Sequence, residues 1–246
     1  MNEREIYVGI AGWSIPKEHA HLFPTEGSHL QRYAKVIPAV EINSSFYRAH
    51  RMETYQRWAS SVPEGFRFAV KAPRDVTHGR RLRDASPLRG FAEETAGLGD
   101  RLGPWLIQLP PSLAFQRAIV ERFLTDVRAL FNGPIAIEPR HPSWFDPAIG
   151  ALLESHRVAR VVADPAIHPA GVEPAGWEGL VYFRLHGSPR MYYSGYSEEA
   201  LARLAERVTS AAGRGATVWC IFNNTAAGEA IPNALALMEI LGLNWP

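Results

Sequence analysis

The sequence predicts a single α/β domain, a (β/α)8 barrel that spans residues 1–246. Three observations predict it. The length of 246 residues suits one barrel of this kind, which commonly runs to about 250 residues. Eight short apolar runs recur along the chain, and longer segments with helical character separate them. Strict alternation of strands and helices favours a parallel sheet that closes on itself.

The eight predicted strands are short and apolar throughout, as strands are when helices cover a parallel sheet. They are Tyr7–Gly12, Ala39–Ser44, Arg67–Ala72, Trp105–Pro110, Ile135–Arg140, Arg160–Pro165, Val181–Gly187 and Thr217–Asn224.

The intervening helices have local start and stop signals. Ser86-Pro87 and Asp146-Pro147 each combine an N-cap residue with a proline in the first turn. Ser197 precedes two glutamates and a stripe of apolar residues at helical spacing, and Gly213 ends that helix. A second helical stripe consists of Ile119, Phe123, Val127, Leu130 and Phe131.

The sixth helix is the exception. The segment from Pro165 to Leu180 holds three prolines and three glycines and has no helical period, which predicts a loop or a degenerate helix. A doubly wound open sheet is the alternative fold. The first run is not followed by G-x-G-x-x-G, so the sequence has no nucleotide-cofactor motif and a dinucleotide-binding sheet is disfavoured.

Composition and sequence pattern limit the partners and the cellular location that we expect for the protein. The net charge of +1 gives no global field that would favour nucleic acid or an anionic membrane. Cys220 is the only cysteine, which excludes an intrachain disulfide and a cysteine-based zinc site. Residues 1–5 show no signal-peptide pattern, and no apolar stretch approaches the roughly 18 residues that span a bilayer. We expect a cytoplasmic protein, and the sequence does not predict its oligomeric state.

Polar side chains cluster at the carboxyl ends of the predicted strands. Seven of the eight runs carry a charged or amide residue there. In a barrel, alternate residues point inward, and those near this end face the usual active-site mouth. The residues in question are Glu41, Asn43, Lys71, Gln108, Glu138, Arg140, Asp164, Arg184, His186, Asn223 and Asn224.

One interpretation of this set is structural, since its cations and carboxylates can satisfy one another as an internal ion-pair network. Buried charge is weak evidence for stability, however, and a fold that needed only stability would place Val, Ile and Leu at these positions. The set as a whole therefore favours a functional site.

Three chemistries fit the set. The carboxylates Glu41, Glu138 and Asp164 suit acid–base work or glycoside hydrolysis. Together with His186, they are also candidate ligands for a divalent metal. The third interpretation is an anion site, formed by Lys71, Arg140, Arg184 and His186. The loop after the seventh run, with Gly187 and Arg190, favours the third, because barrels often bind phosphate there.

Residues of the loops after the strands are further candidates to line the pocket at this end of the barrel. Trp13, Tyr47 and Tyr196 follow the first, second and seventh runs and are candidates to stack on a substrate. His78 and the basic stretch Arg80–Arg83 follow the third run, where we expect a solvated loop.

Several of these stretches resemble the bacterial and archaeal family called domain of unknown function 72. The resemblance covers almost the whole chain and implies a TIM-barrel-like fold; it implies no activity. Some relatives carry aspartate where this chain has Asn223. The matching stretches are GIAGW (9–13), VEINSSFY (40–47), FAVKAPRDVTH (68–78), QLPP (108–111), EPRHPSW (138–144), ADP (163–165), RLHG (184–187), YSGY (193–196) and FNN (222–224).

The leading functional hypothesis is an enzyme of the hydrolase, lyase or isomerase class that acts on a small anionic, phosphorylated or sugar-like substrate. The candidate catalytic residues are Glu41, Glu138, Asp164 and His186. The candidate binding residues are Trp13, Asn43, Tyr47, Lys71, Gln108, Arg140, Arg184, Tyr196, Asn223 and Asn224. A metal-dependent phosphodiesterase or nuclease and a non-catalytic binding barrel are the alternatives. A small anionic molecule is the expected partner, with nucleic acid less favoured.

Overall fold

The computed structural model describes residues 5–245, in which strands and helices alternate from end to end. The strands are β1 (Ile6–Ala11), β2 (Ala39–Ile42), β3 (Arg67–Lys71), β4 (Leu102–Gln108), β5 (Ile135–Glu138), β6 (Val158–Arg160), β7 (Val162–Asp164), β8 (Ala175–Gly176), β9 (Leu180–Leu185) and β10 (Thr217–Phe222). The α-helices are α1 (His29–Ala34), α2 (Met52–Ser60), α3 (Pro87–Thr95), α4 (Arg117–Leu130), α5 (Pro147–Ser155), α6 (Glu198–Gly213) and α7 (Ala230–Ile240).

All ten strands belong to one mixed sheet, which curls into a barrel-like shape within a single α/β domain. The strand order is β7-β9-β10-β1-β2-β3-β4-β5-β6-β8. Every pairing is parallel except that of β6 with the two-residue β8. Because β1 pairs with both β2 and β10, the first and last strands are neighbours, an adjacency that the doubly wound alternative lacks.

Each of the eight predicted strands coincides with a strand of this sheet, and the ends differ by a few residues. The sixth run is the one that differs in kind. It is divided at Val161 into β6, which pairs with β5, and β7, which pairs with β9. The Val161 amide also donates to the carbonyl of Ile137 in β5. The two halves of this run therefore lie near opposite ends of the strand order, β7 at one end and β6 near the other.

The crossover after β7 contains no α-helix, as its prolines and glycines predicted. Between β7 and β9, the described chain forms a single 3-10 turn at Pro169–Val172 and then β8. Arg160 holds this segment by donating to the carbonyls of Ala170 and Glu173. The outer face of β7 and β9 consequently borders a groove that this irregular segment and α6 both line.

The predicted caps were largely confirmed. Asp146 accepts a hydrogen bond from the Ala148 amide at the start of α5, and Ser197 accepts one from Ala200 at the start of α6. Ser86 precedes the proline that begins α3 but makes no side-chain cap bond. Among the described residues, no helix combines the length and apolar character that crossing a bilayer requires.

The sheet separates two apolar cores. The outer core packs the sheet against the helices, with residues such as Val40, Phe68 and Trp105. The inner core lies on the concave face and is built from alternate strand residues, several of them alanines around Tyr182 and Trp219. Small side chains fit where the curled strands converge, and the two large rings fill the centre.

Candidate active site

The inner core ends in a layer of polar side chains at the carboxyl ends of the strands. Because side chains alternate along a strand, a residue two positions after an inner-core residue points to the same face. Glu41 follows Ala39 in this way, and Glu138 follows Ala136. Lys71, Gln108 and Arg184 follow Ala69, Leu106 and Tyr182.

Arg184 lies at the centre of this layer. Its guanidinium is 1% exposed and bonds to two carboxylates. Nη2 donates to Glu41 Oε1 at 2.8 Å and Nε to Glu41 Oε2 at 3.0 Å, which makes a bidentate pair. Nη1 donates to Glu138 Oε2 at 2.9 Å. One side chain on β9 thus ties β2 to β5 across the interior of the sheet.

Glu138 joins the centre to the mouth of the pocket. Its Oε1 atom accepts from Arg140 Nη2 at 2.9 Å and lies 2.9 Å from His186 Nε2. Arg140 has 17% of its side chain exposed, whereas Glu138 and His186 are almost fully buried. Arg140 is therefore the member of this group that reaches the pocket surface.

The two carboxylates stay ionised in this environment. Burial by itself would raise the pKa of Glu138, but the charge of Arg184 and the hydrogen bond from His186 hold that pKa well below its usual range. Burial would also raise the pKa of Glu41, but Arg184, together with Lys71 and the Tyr182 hydroxyl, outweighs it, and this pKa is likewise lowered. The same contacts raise the pKa of Arg184. Neither carboxylate is arranged to exchange a proton near neutral pH.

His186 is held on both sides of its ring. Nε2 faces Glu138, and the Asn223 amide nitrogen lies 3.1 Å from Nδ1. With this amide donating to Nδ1, Nε2 carries the hydrogen that Glu138 accepts. Both ring nitrogens are engaged and the residue is 1% exposed, so His186 orients Glu138; its ring also borders the small cavity that Glu138 and Arg140 line.

Lys71 differs from the other cations of the layer. It is 7% exposed, yet no described carboxylate lies within 4.0 Å of its ammonium group, which sits 4.1 Å from the centroid of the Phe46 ring. Burial, and then the charge of Arg184, lower the pKa of Lys71 to about 8, although Glu41 and Glu138 act in the opposite direction. A partly neutral amine at the edge of a charged network is typical of acid–base and nucleophilic sites.

Two residues of this region were not among the predicted site residues. His78 packs edge-on against Phe46 with centroids 5.2 Å apart, and its Nδ1 atom lies 2.8 Å from the Thr77 hydroxyl. Tyr182, on β9, donates its hydroxyl to Glu41 Oε2 at 2.7 Å. Tyr182 had a sequence signal, since it lies two residues before Arg184. His78 had a weaker signal: it ends the stretch FAVKAPRDVTH, but we expected a solvated loop there, and its place depends on a π-helical turn at Asp75–Gly79.

The structure places Asp164 and Asn224 away from the layer. Asp164 is the register partner of Leu185, an outer-core residue, so its side chain belongs to the helix-facing side of the sheet. There it lines a groove beside Arg207 of α6, and burial raises its pKa. Asn224 bonds to Ser194 and to Asn233 of α7 and secures the loop after β9.

The remaining predicted residues lie around the mouth or in its loops. Trp13 packs edge-on against Trp58, and Tyr47 is 78% exposed beside Phe46. The Tyr196 hydroxyl accepts from the Gly187 amide and donates to the backbone of Asp164, which ties two loops together. Asn43 has a buried carbonyl oxygen without a partner among the described residues. Gln108 on β4 is the register partner of Glu138 on β5, so the two residues lie side by side.

The candidate metal ligands do not form a metal cluster in the described part of the chain. No group of three or more His, Cys, Asp or Glu side chains is placed to hold an ion there. Arg184 occupies the space between Glu41 and Glu138, and the four carboxylate oxygens accept from arginine, tyrosine or histidine donors. The Arg184 guanidinium therefore already occupies the position between the two carboxylates that a metal cation would take.

We expect Tyr182→Phe to destabilise the fold by about 1.5–3 kcal/mol, because the hydroxyl donates to a buried, ionised carboxylate. Urea denaturation measures the change. In a double-mutant cycle, the loss should shrink when Glu41 is replaced by Gln. An equal loss in both backgrounds would mean that the hydroxyl does not act through the Glu41 charge.

Comparison with known proteins gives a consistent result. A family model described as "Protein of unknown function DUF72" matches residues 7–245. UPF0759 protein YunF of Bacillus subtilis is 24% identical to this chain, and the match covers 98% of this chain and 96% of YunF. UPF0759 protein YecE of Escherichia coli K12 is 30% identical over 65% of this chain and 59% of YecE.

Solved structures agree with the sequence matches. A DUF72 family protein of Enterococcus faecalis V583, EF0366, superposes with a TM-score of 0.80 at 26% identity, over 99% of this chain and all of that chain (100%). TM1631 of Thermotoga maritima MSB8, also a DUF72 family protein, gives a TM-score of 0.79 at 27% identity, over 96% of this chain and 99% of that chain. These relatives share a fold, and their names assign no reaction.

Proposed function

This chain belongs to the DUF72 family of proteins of unknown function, and we propose that it is an enzyme that acts on a small anionic substrate by proton transfer. The substrate would bind at the carboxyl ends of the strands. The observation that carries the proposal is the Lys71 ammonium group, which is nearly buried and has no carboxylate partner among the described residues, although it lies beside a network of paired charges.

The charge balance of the layer supports an anionic ligand. Three cations (Lys71, Arg140 and Arg184) face two carboxylates, Glu41 and Glu138, so one positive charge is left uncompensated. An uncompensated buried charge is costly, and an anionic ligand that reaches it offsets that cost. Arg140 and Lys71 are the cations positioned to make this contact, because Arg184 is saturated by carboxylates.

The division of roles follows from which polar atoms are already engaged. Glu41, Glu138, Arg184 and His186 form a saturated inner network that fixes the geometry. Lys71 and His78 retain atoms without protein partners among the described residues, and the pKa of each is lowered, chiefly by burial, to about 8 in the case of Lys71. The acid–base role that the sequence suggested for the glutamates therefore moves, in this proposal, to Lys71 and His78.

We also infer that the curled sheet is a closed (β/α)8 barrel with a degenerate sixth crossover. Support comes from β6 and β7, which are separated in the chain by Val161 alone and pair with opposite neighbours, β5 and β9. Counted as one strand, they complete a ring of eight. An experimental structure in which segment 158–164 is bonded to only one of these neighbours would contradict the inference.

The proposed function is tested by anion binding. We expect phosphate and small phosphorylated or carboxylated metabolites to bind, as measured by calorimetry and by a rise in melting temperature. Lys71→Met and Arg140→Met should each weaken binding by roughly tenfold or more, the loss of about 1.4 kcal/mol from one charge-assisted contact.

Matched controls are available on the surface. Lys35 lies exposed at the end of α1, and Arg214 lies at the end of α6, so Lys35→Met and Arg214→Met remove the same charges elsewhere. These variants should bind like the parent protein. If all four variants bind anions equally, binding is a general effect of surface charge and the proposed site is not the site.

A further inference from the structure

The chain uses lysine sparingly. Of its 26 basic residues, 23 are arginine and three are lysine, at positions 17, 35 and 71. Lys17 and Lys35 are exposed, and Lys71 alone is buried. A protein that uses arginine almost everywhere else has a lysine at the edge of its buried charged layer.

The choice of residue matters there. Arginine binds carboxylates and phosphates in a bidentate way and is always charged, so it is the better residue for anion recognition or ion pairing alone. A lysine amine, by contrast, can lose its proton and attack an electrophilic carbon. Within residues 5–245, Lys71 makes no ion pair that arginine would make better, so its position calls for the property that arginine lacks.

The surroundings of Lys71 favour the neutral amine. Burial, with the positive charges of Arg184 and Arg140, lowers the pKa of Lys71 to about 8 in spite of Glu41 and Glu138. Lys71 also contributes to lowering the pKa of His78, which shares the Phe46 ring with it. The Lys71 amine and the His78 imidazole, both titratable, therefore pack against the same Phe46 ring.

We propose that Lys71 forms an imine with the carbonyl carbon of a substrate that also carries an anionic group, held by Arg140. This inference rests on the proposed function, since it names the substrate class of the same site. The substrate would be a phosphorylated or carboxylated aldehyde or ketone.

The covalent step balances as follows. The neutral Lys71 amine attacks the carbonyl carbon, the C–N bond forms, and the carbonyl oxygen gains the proton that the nitrogen loses. The hydroxyl of this carbinolamine then leaves as water after taking one proton, and a protonated imine remains. We assign the proton transfers to His78, whose Nδ1 atom bonds to Thr77 and whose Nε2 atom makes no hydrogen bond to another described residue.

Trapping with glyoxylate and cyanoborohydride at pH 7 tests the inference in the full-length protein. Cyanoborohydride delivers hydride to the imine carbon and leaves a stable carboxymethyl group on the amine. Peptide mass spectrometry then compares the three lysines within one sample. We expect Lys71 to be labelled roughly tenfold faster than Lys17 or Lys35, because more of its amine is neutral. Neutral glycolaldehyde should show a smaller preference, because it lacks the carboxylate that Arg140 would hold.

Variants sharpen the test. Arg140→Met should reduce glyoxylate labelling of Lys71, whereas Arg214→Met should not. Lys71→Arg should abolish the fast label and leave labelling at Lys35 unchanged, and Lys35→Arg should have the reverse effect. The glyoxylate preference should also fall when inorganic phosphate is added as a competitor.

The outcomes separate this inference from the proposed function. If phosphate binds at Lys71 and Arg140 but glyoxylate labels Lys71 no faster than the exposed lysines, the imine is overturned and the anion site stands. If neither binding nor labelling occurs, both fail. Fast labelling of Lys71 that is lost in Arg140→Met supports both.

Discussion

Arg184→Met is expected to destabilise the protein by about 3–5 kcal/mol, the cost typical of leaving a buried charge without its partner. The side chain is 2% exposed and bonds to Glu41 on β2 and Glu138 on β5. Methionine fills most of the volume but leaves two buried carboxylates with much weaker compensation. Urea denaturation at pH 7 measures the loss.

The pH dependence identifies the cause. In the parent protein, the folded-state pKa of Glu138 and that of Glu41 are lowered, chiefly by Arg184 acting against burial. Their contribution to stability is therefore present above the unfolded carboxylate pKa of about 4.3 and is lost as the pH falls below it. In Arg184→Met, burial dominates and raises both pKa values. That variant should gain stability relative to the parent as the pH falls from 7 to 4.5.

Arg160 provides the matched control. It is also buried, but it donates to the backbone carbonyls of Ala170 and Glu173 and has no carboxylate partner among the described residues. Arg160→Met should lose stability by a similar amount at pH 7 and at pH 4.5. Combining Arg184→Met with Glu41→Gln and Glu138→Gln should restore part of the loss. If the Arg184 variant behaves like the Arg160 variant at both pH values, the network is not held together by charge.

The strand pattern made much of this layer predictable. Short apolar runs fixed the strand positions, and alternation along each run placed Glu41, Lys71, Glu138 and Arg184 on one face. In the structure Arg184 contacts both glutamates, and Lys71 lies at the edge of the same layer, over the Phe46 ring. The prediction needed only the two-residue period of a strand, which is a local property of the chain.

The placement of Asp164 shows where that approach stopped. It was included because it is polar and ends a run, but alternation from the inner-core residue Ala163 puts it on the opposite face. A regular crossover would cover that face with a helix. Here segment 165–176 is irregular, so a charged residue is tolerated in the groove beside Arg207. At the strand ends, the alternation of side chains along the strand predicted which face a residue occupies better than its polarity did.

The sequence pattern could not predict which residues from distant parts of the chain contact one another. Arg184 reaches Glu41 across 143 residues, and nothing in either strand specifies that pairing in advance. The same limit applies to the division of labour within the layer. Two features emerge only once all strands are placed: the engagement of both His186 ring nitrogens by Glu138 and Asn223, and the lack of a carboxylate partner for Lys71 in the described part of the chain.

The second large effect expected is in the reactivity of Lys71 with a small reagent such as cyanate. A lysine with a pKa of about 8 is roughly one-tenth neutral at pH 7, roughly 200-fold more than a lysine with the ordinary value near 10.4. Carbamylation of Lys71 should therefore rise with pH and level off above a midpoint near 8. Peptide mass spectrometry follows this rate, with exposed Lys35 in the same sample as the reference.

The direction of change in variants tests the electrostatic cause of this titration. The charged groups that act on Lys71 are Arg184 and Arg140 on the positive side and Glu41 and Glu138 on the negative side; the nearby His78 has a lowered pKa, so it is neutral in this range. Removing positive charge with Arg140→Met should move the midpoint upward, and bound phosphate should do the same by stabilising the ammonium form. Glu138→Gln should move it downward, and Arg214→Met should leave it unchanged. A parent midpoint near 10, insensitive to Arg140, would mean that Lys71 is an ordinary ammonium group, and both its acid–base role and its imine would then lose their physical basis.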